Sequence, residues 1–489
     1  MIARWIRAVL KSLLVTAVLA LLVFALFVAY RVLSYKQEDS EAHLALKRQY
    51  LERLEGLQPA GPRPNIVFIL YDDMGYGDIG AGVSNPDLIR TPNIDAIAQR
   101  GVTLSQFYSP SPVCTPSRAG FLTGRLAPRA GLPYVVFPSG SLEDLAGHKV
   151  MNPGNPERLP AEEITLADVL LASGYRTAMV GKWHLGDRSP SLPNDFGFEY
   201  FFGSLYSNDM RPFALYRNRE EAIPAPVDQR NLSRYYQEEV KAFLQREDDR
   251  PFFLYLAHNF PHDPLSVADE RRGKSAAGLY GDVLEELDEG VGDLVSTLEQ
   301  RGQLENTLIV ISSDNGPWFL GDTGSRRGRK GSTFEGGMRV PMIVQWPAGI
   351  AGGRVEPAMA MGTDLLPTIL DMLDLPPPED RELDGRSILP LLVDGAPSPH
   401  EFLYFYDGVT LFAARDQRFK YRAELPVAYS TDELGFGFPV PQKAWLFDLQ
   451  GNPGESYDTS DRYPEALHRL RNAYGDKREE MRTNPRGWR

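Results

Sequence analysis

Two pairs of hard oxygen donors mark the chain: Asp72-Asp73, one residue after an apolar run at 66–70, and Asp314-Asn315, directly after the segment 307–313. Three carboxylates and an amide carbonyl suit Ca2+, with Mg2+ as second choice, and not a soft metal. Either pair alone reads first as a turn or helix cap, a common use of Asp and Asn. Two pairs at strand ends favour a metal, because carboxylates gathered without a cation repel one another.

The only cysteine, Cys114, lies two residues before Pro116, which can start a helix. A thiol near a helix N-terminus and an arginine, here Arg118, ionises more readily and becomes reactive. A small buried hydrophobe is the other reading, and composition does not separate the two. Lys182 and His184 straddle Trp183, so on extended backbone both face the same side. A solvated lysine beside a structural histidine is the plainer alternative. His258 ends an apolar strand and reads as a packed histidine; His43, His148, His400 and His468 lie outside any motif and read as surface residues. Arg326, Arg327, Arg329 and Lys330 form a basic run of the kind most often solvated.

The elements that must position these residues alternate. Strands are expected at 66–70, 175–181, 251–257, 307–312 and 339–345. Helices are expected at 92–100, opened by Thr91-Pro92, and at 165–173, 276–300 and 363–373. This rhythm predicts an α/β fold, a large mainly parallel sheet sandwiched by helices. Ligands bind at the carboxyl ends of such strands, where the charged pairs fall. After about 397 the pattern changes to strands at 402–406, 411–421 and 444–449 and a helix at 464–482. That predicts a small C-terminal antiparallel sheet plus helix.

Residues 13–30 form one apolar stretch, roughly 27 Å long as a helix. Arg4, Arg7 and Lys11 precede it; Arg31 and Lys36 follow, soon offset by Glu38, Asp39 and Glu41. The positive-inside rule predicts a cytoplasmic N-terminus and an exported body. A cleaved signal peptide would have a shorter run and a small-x-small site, and 28–31 is a poor one. The expected plan is a basic tip and uncleaved single-pass anchor in the cytoplasmic membrane over 1–36, then a stalk or linker over 37–63 ending at Gly61-Pro62-Arg63-Pro64. A catalytic domain over 64–396 and a C-terminal subdomain over 397–489 complete it.

Of the 489 residues, 43% are hydrophobic, enough for a folded core, and a single cysteine excludes an intrachain disulfide. With 52 Lys+Arg against 65 Asp+Glu the net charge is −13, which argues against a nucleic-acid partner.

The motifs together are more specific than any one of them. Cys114-x-Pro116-x-Arg118, followed by Ala119-Gly120-x-x-Thr123-Gly124-Arg125, resembles the signature of type I sulfatases, a branch of the alkaline phosphatase superfamily. Asp72-Asp73-Met74-Gly75, Gly181-Lys182-Trp183-His184-Leu185-Gly186, Pro261-His262-x-Pro264, Ser313-Asp314-Asn315-Gly316 and Arg329-Lys330-Gly331 follow in the family's order. So do Phe334-Glu335-Gly336-Gly337-Met338-Arg339 and Leu446-Phe447-Asp448-Leu449, so the resemblance runs from about 65 to 455. It implies an alkaline phosphatase-like fold and hydrolysis of a small-molecule or glycan sulfate ester. It also implies that a maturation enzyme oxidises Cys114 to formylglycine, whose hydrate attacks sulfur and then expels sulfate.

By the same resemblance, Asp72, Asp73, Asp314, Asn315 and an oxygen at residue 114 hold the cation, and Arg118 and Lys182 balance charge around the nucleophile. His184 is the base for elimination, while His262 and Lys330 bind sulfate and protonate the leaving oxygen. Ser207 is similar to a substrate-contacting serine of arylsulfatase-like members. A phosphonate monoester or phosphodiester hydrolase of the same superfamily is the nearest alternative, and a non-catalytic, membrane-tethered binding protein the alternative of another class. Two-metal phosphatases typically carry Asp-His where this chain has Asp314-Asn315.

Overall fold

The computed structural model describes residues 2–34, 37–57, 63–80, 88–145, 147, 155–430 and 438–489. Its centre is a ten-stranded sheet: β1 (Asn65–Tyr71), β2 (Val102–Tyr108), β3 (Arg176–Gly181), β4 (Tyr200–Gly203), β5 (Leu215–Arg217), β6 (Glu220–Ile223), β7 (Phe252–Ala257), β8 (Thr307–Ser313), β9 (Met342–Gln345) and β10 (Arg354–Met361). The order is β10-β2-β9-β8-β1-β7-β3-β4-β5-β6. The central four, β8, β1, β7 and β3, are mutually parallel, while β9 and β5 run against their neighbours.

Side chains alternate along β1 and so feed two apolar layers. Ile66, Phe68 and Leu70 pack with the helices Leu166–Ala172 and Leu365–Met372. Val67, Ile69 and Tyr71 pack on the other face with the helices Leu232–Gln245 and Gly278–Gln300. A strand buried on both faces must be apolar throughout, which is why this one is visible in the sequence.

The C-terminal region forms β11 (Leu403–Asp407), β12 (Thr410–Arg415), β13 (Phe419–Arg422), β14 (Leu425–Ser430), β15 (Phe438–Gln442) and β16 (Trp445–Asp448), with the helix Pro464–Thr483 against it. β11, β12, β13 and β16 make one antiparallel sheet. The expected single strand at 411–421 is two, because the Asp416 carboxylate accepts from the Arg418 and Phe419 amides and closes a turn. The strand expected at 339–345 begins only at Met342, and its direction is antiparallel.

A buried ion network joins this sheet to the main body. Lys420 Nζ lies 3.0 Å from Glu335 and 3.1 Å from Glu455, and Tyr108 donates to Glu335 at 2.7 Å. Burial alone would raise Glu335, but Lys420, Arg415 and Arg339 outweigh it and hold the carboxyl at about 2. A depressed carboxylate favours folding above its ordinary range, so this contribution is lost as pH falls from 4.5 toward about 2. Lys420→Met should therefore destabilise the protein by roughly 3 kcal/mol at neutral pH, because it strands buried carboxylates. Denaturant unfolding would measure it; an unchanged midpoint would show that the network carries no stability.

Three sequence expectations are corrected here. The segment after the apolar helix is docked rather than a free stalk. In the helix Glu41–Glu55, Tyr50 and Leu54 enter the core and Lys47 reaches Asp168 at 3.0 Å, while Asp39 pairs with Arg158 at 2.7 Å. His400 is buried against Asp364 at 2.7 Å, not on the surface. The arginines of the basic run are held rather than solvated: Arg329 donates to the Trp318 and Gly321 carbonyls, and Arg326 lies 4.0 Å over the Tyr76 ring. His468 is exposed as expected; His43 is half-buried, stacked on Trp488. His148 and the Gly61-Pro62 part of the expected boundary lie outside the described residues.

The first helix spans Ile2–Ser34, and its stretch Arg4–Arg31 is apolar and long enough to cross a membrane, with none of it buried within the molecule.

Candidate active site

Strand register gathers the site. Tyr71 pairs with Ser313, Leu70 with Ala257, and Ala257 with Gly181. The residues that follow, Asp72, Asp314, His258 and Lys182, must therefore emerge side by side at one edge. Gly181 permits the tight exit: its φ is 117°, and a Cβ there would meet the Ala257 carbonyl oxygen at 1.9 Å. Asp73 and His184 both hold left-handed backbone, at φ 65° and 61°. Such outliers in non-glycine residues occur where surrounding structure fixes a functional side chain.

Cys114 is the first residue of the fully buried helix Cys114–Thr123, which Gly124 closes in left-handed conformation. Its Sγ lies 3.3 Å from both Asp72 Oδ1 and Lys330 Nζ. Of the two readings left open for the thiol, ionised or buried and neutral, the surroundings favour the second: burial, then the Asp72 carboxylate, pushes the thiol up. Arg118 does not counter this, because its guanidinium is turned to Asp314 at 2.8 Å and to the Lys182 carbonyl at 2.7 Å.

Asp72, Asp73 and Asp314 are buried among Arg118, Lys182 and Lys330. Lys182 pairs with Asp72, and Lys330 reaches Asp73 at 2.8 Å. Mutual repulsion is thus partly met by protein cations. It is not fully met. Burial and the Asp72 charge still push Asp314 up to about 7, and the buried Asn315 Oδ1 has no partner among the described residues. Asp72 itself is held low, since Lys182, His262, Arg118 and Lys330 outweigh its burial. Ligand-capable atoms of Asp72, Asp73, Cys114 and His262 lie within 4.8 Å of one another. The thiol and imidazole of that group are not hard donors; the carboxylates of Asp72, Asp73 and Asp314 and the Asn315 Oδ1 are the atoms that fit a hard cation.

His184 is buried, and burial, then Lys182 and Arg118, lower its affinity for a proton. Its Nε2 lies 3.1 Å from the Val136 carbonyl, so the neutral ring carries its proton there. Nδ1, buried with no partner among the described residues, is left as a free base. Trp183 points the other way, into the apolar layer with Phe196. His262 Nδ1 meets the Asp263 carbonyl at 2.5 Å, and Nε2 lies 3.8 Å from Asp73. Burial alone would lower Lys330, but the Asp73 carboxylate beside it, with Asp72 nearby, keeps it well above its ordinary value and hence charged.

The structure therefore brings together Asp72, Asp73, Cys114, Arg118, Lys182, His262, Asp314, Asn315 and Lys330. Ser207 is buried, and its Oγ has no partner among the described residues. Asn208 was missed by the sequence analysis. Its amide donates to the carbonyls of His262 at 3.3 Å and Pro264 at 3.1 Å, pinning the His262 loop. Only its position beside Ser207 could have drawn attention to it.

Residues 64–375 match the family model described as Sulfatase, and residues 329–472 match the model described as N-sulphoglucosamine sulphohydrolase, C-terminal. The chain belongs to the sulfatase family. It is 36% identical to human Arylsulfatase A over 453 residues, covering 82% of this sulfatase and 84% of that relative. It is also 36% identical to mouse N-acetylgalactosamine-6-sulfatase over 390 residues, covering 75% and 73%. Among solved structures, the PsFucS1 sulfatase from Pseudoalteromonas sp. superposes with a TM-score of 0.76 at 28% identity, over 91% of this chain and 96% of that one. This protein is thus a sulfatase enzyme that hydrolyses sulfate esters, on a fold shared with its family, and its site contains residues able to hold a metal.

Proposed function

We propose that this sulfatase cleaves a sulfate monoester with residue 114 matured to formylglycine by a separate maturation enzyme, and with one Ca2+ held by Asp72, Asp73, Asp314, Asn315 and an oxygen of residue 114. The observation that carries this reading is the position of Cys114, 3.3 Å from both a carboxylate of the candidate metal site and Lys330. A thiol that resists ionisation makes a poor nucleophile, so the position suits a residue that is modified before it acts. Bound Ca2+ neutralises charge there, and the hydrated aldehyde is a strong oxygen nucleophile.

The chain's own groups do the rest. Arg118 and Lys182 hold charge beside residue 114, and Nδ1 of neutral His184 accepts a proton during sulfate release. Lys330 stays charged and binds the sulfate oxygens. His262 donates its Nδ1–H to the Asp263 carbonyl, so it protonates the leaving oxygen from Nε2 as the doubly protonated imidazolium, with Asp73 3.8 Å away, and Ser207 Oγ is free to contact substrate. Asp73, Asp72 and Asp314 offset Lys330, Lys182 and Arg118, so a dication leaves an excess of two positive charges. A monoanionic ester and an ionised nucleophile would consume that excess.

His262→Ala should lower kcat/KM most for sulfate esters of poor leaving groups and least for nitrophenyl sulfate, since only the former need the proton. Equal losses across a leaving-group series would remove His262 from that role. The substrate class is an aryl or glycan sulfate, as the names of both relatives above suggest. The phosphonate hydrolase and binding-protein readings gain no such support.

The apolar helix supports a single-pass anchor, with its basic flank in the cytoplasm and the catalytic body on the exported side of the membrane. Fractionation should leave the full-length chain in the membrane, with the body open to external protease. A cytoplasmic, soluble chain with an intact N-terminus would refute this topology. The 64–396 body then carries the chemistry, and the 397–489 region braces the Lys330 segment through Lys420 and Glu335.

A further inference from the structure

The helices Leu232–Gln245 and Gly278–Gln300 cover one face of the sheet, yet a cavity of about 290 Å³ opens between them and reaches the sheet. Leu256 on the central strand β7 is only half-buried because of it. A central-strand side chain open to solvent is a vacancy in an otherwise close-packed interior. The sequence keeps it open. Gly290 faces Gln237 across the cavity, and a Cβ at 290 would crowd that side chain at 3.0 Å. The buried walls are apolar at Val240, Leu287, Val291 and Leu294, while exposed Arg234, Glu238, Lys241 and Asp293 line the mouth.

The floor is polar. Tyr71 lines it, 2% exposed, and its hydroxyl has no hydrogen-bond partner among the described residues. His258 lines it too. Its Nδ1 accepts the Phe260 amide at 3.0 Å, and burial keeps the ring neutral, so its proton lies on Nε2. The floor therefore offers a phenolic hydroxyl and an imidazole N–H beneath apolar walls, separate from the residues that handle sulfate.

We propose that this cavity is a binding site for a neutral, largely apolar small molecule with one hydrogen-bonding group, of the size and polarity of a phenol. A dry cavity of roughly 150 Å³ already accepts a benzene ring, so one or two rings fit here. An anion gains nothing at the floor, where Tyr71, Leu256 and His258 carry no charge, and at the mouth Arg234 and Lys241 stand with Glu238 and Asp293. A molecule seated on Tyr71 would lie one residue from Asp72, at the end of the same strand.

Phenol itself is the probe, titrated into the full chain in detergent and followed by calorimetry and by the shift in Tm. Saturable binding to the wild type is expected. Tyr71→Phe should weaken it by roughly five- to tenfold through loss of one hydrogen bond. Gly290→Leu, which fills the cavity mouth, should abolish it, and Thr297→Leu serves the same purpose if the first variant does not fold. Non-saturable binding, or equal affinity in wild type and all folded variants, would overturn the proposal. So would a higher Tm in the filled variants with phenol binding retained.

Discussion

Cys114→Ser should abolish multiple turnover, lowering kcat by at least roughly a thousandfold. The loss is expected although serine is close in size to cysteine and is itself nucleophilic. On the proposed mechanism Lys330 and a carboxylate-bound cation would bind and neutralise sulfate, which would also allow a first attack by serine. Serine has a single hydroxyl, however, and no second oxygen whose deprotonation could release sulfate. His184 would then have no proton to take. The variant must be shown to be unoxidised, because some maturation systems act on serine. With that control, steady-state turnover comparable to wild type would mean that residue 114 does not work as a hydrated aldehyde here. His184→Ala should give a related block, with sulfate retained on residue 114 of the matured enzyme.

The second large effect concerns the cation. Chelation of active protein should cut turnover by roughly a hundredfold or more, with recovery on adding Ca2+ and less complete recovery with Mg2+. The pH dependence is specific. Burial and Asp72 push Asp314 up to about 7, so below that pH a proton competes with the cation for its carboxylate. Affinity for Ca2+ should therefore rise as pH climbs through about 7 and level off above it. Asp314→Asn should flatten this profile as well as weaken binding. Full activity after exhaustive chelation, or zinc at full occupancy with neither calcium nor magnesium, would contradict the assignment.

The parts of the molecule legible in the sequence share one physical property: local residue choice was dictated by one environment. β1, β7 and β8 are buried on both faces, so they are continuous apolar runs, and the charged residues after them mark the site. β2 escaped notice because three of its seven side chains are only partly covered, and β5 and β6 are short, with β6 largely exposed. The direction of β9 depends on the path of the chain, which leaves no local trace.

Pairings across long separations were equally silent. Glu335, Lys420 and Glu455 look like ordinary charged residues until the fold buries them together. His400 meets Asp364 in the same way. Cys114 shows the limit most clearly: a helix start near an arginine left an easily ionised thiol and a small buried hydrophobe both open. The fold turns Arg118 toward Asp314 and sets Asp72 beside the sulfur.

The most direct test of the account is mass spectrometry of the peptide containing residue 114, from protein that turns over a sulfate ester. The account predicts the aldehyde of formylglycine at that residue, trapped by a hydrazide reagent, in a fraction that scales with specific activity. Fully active protein carrying only an unmodified cysteine at position 114 would contradict it.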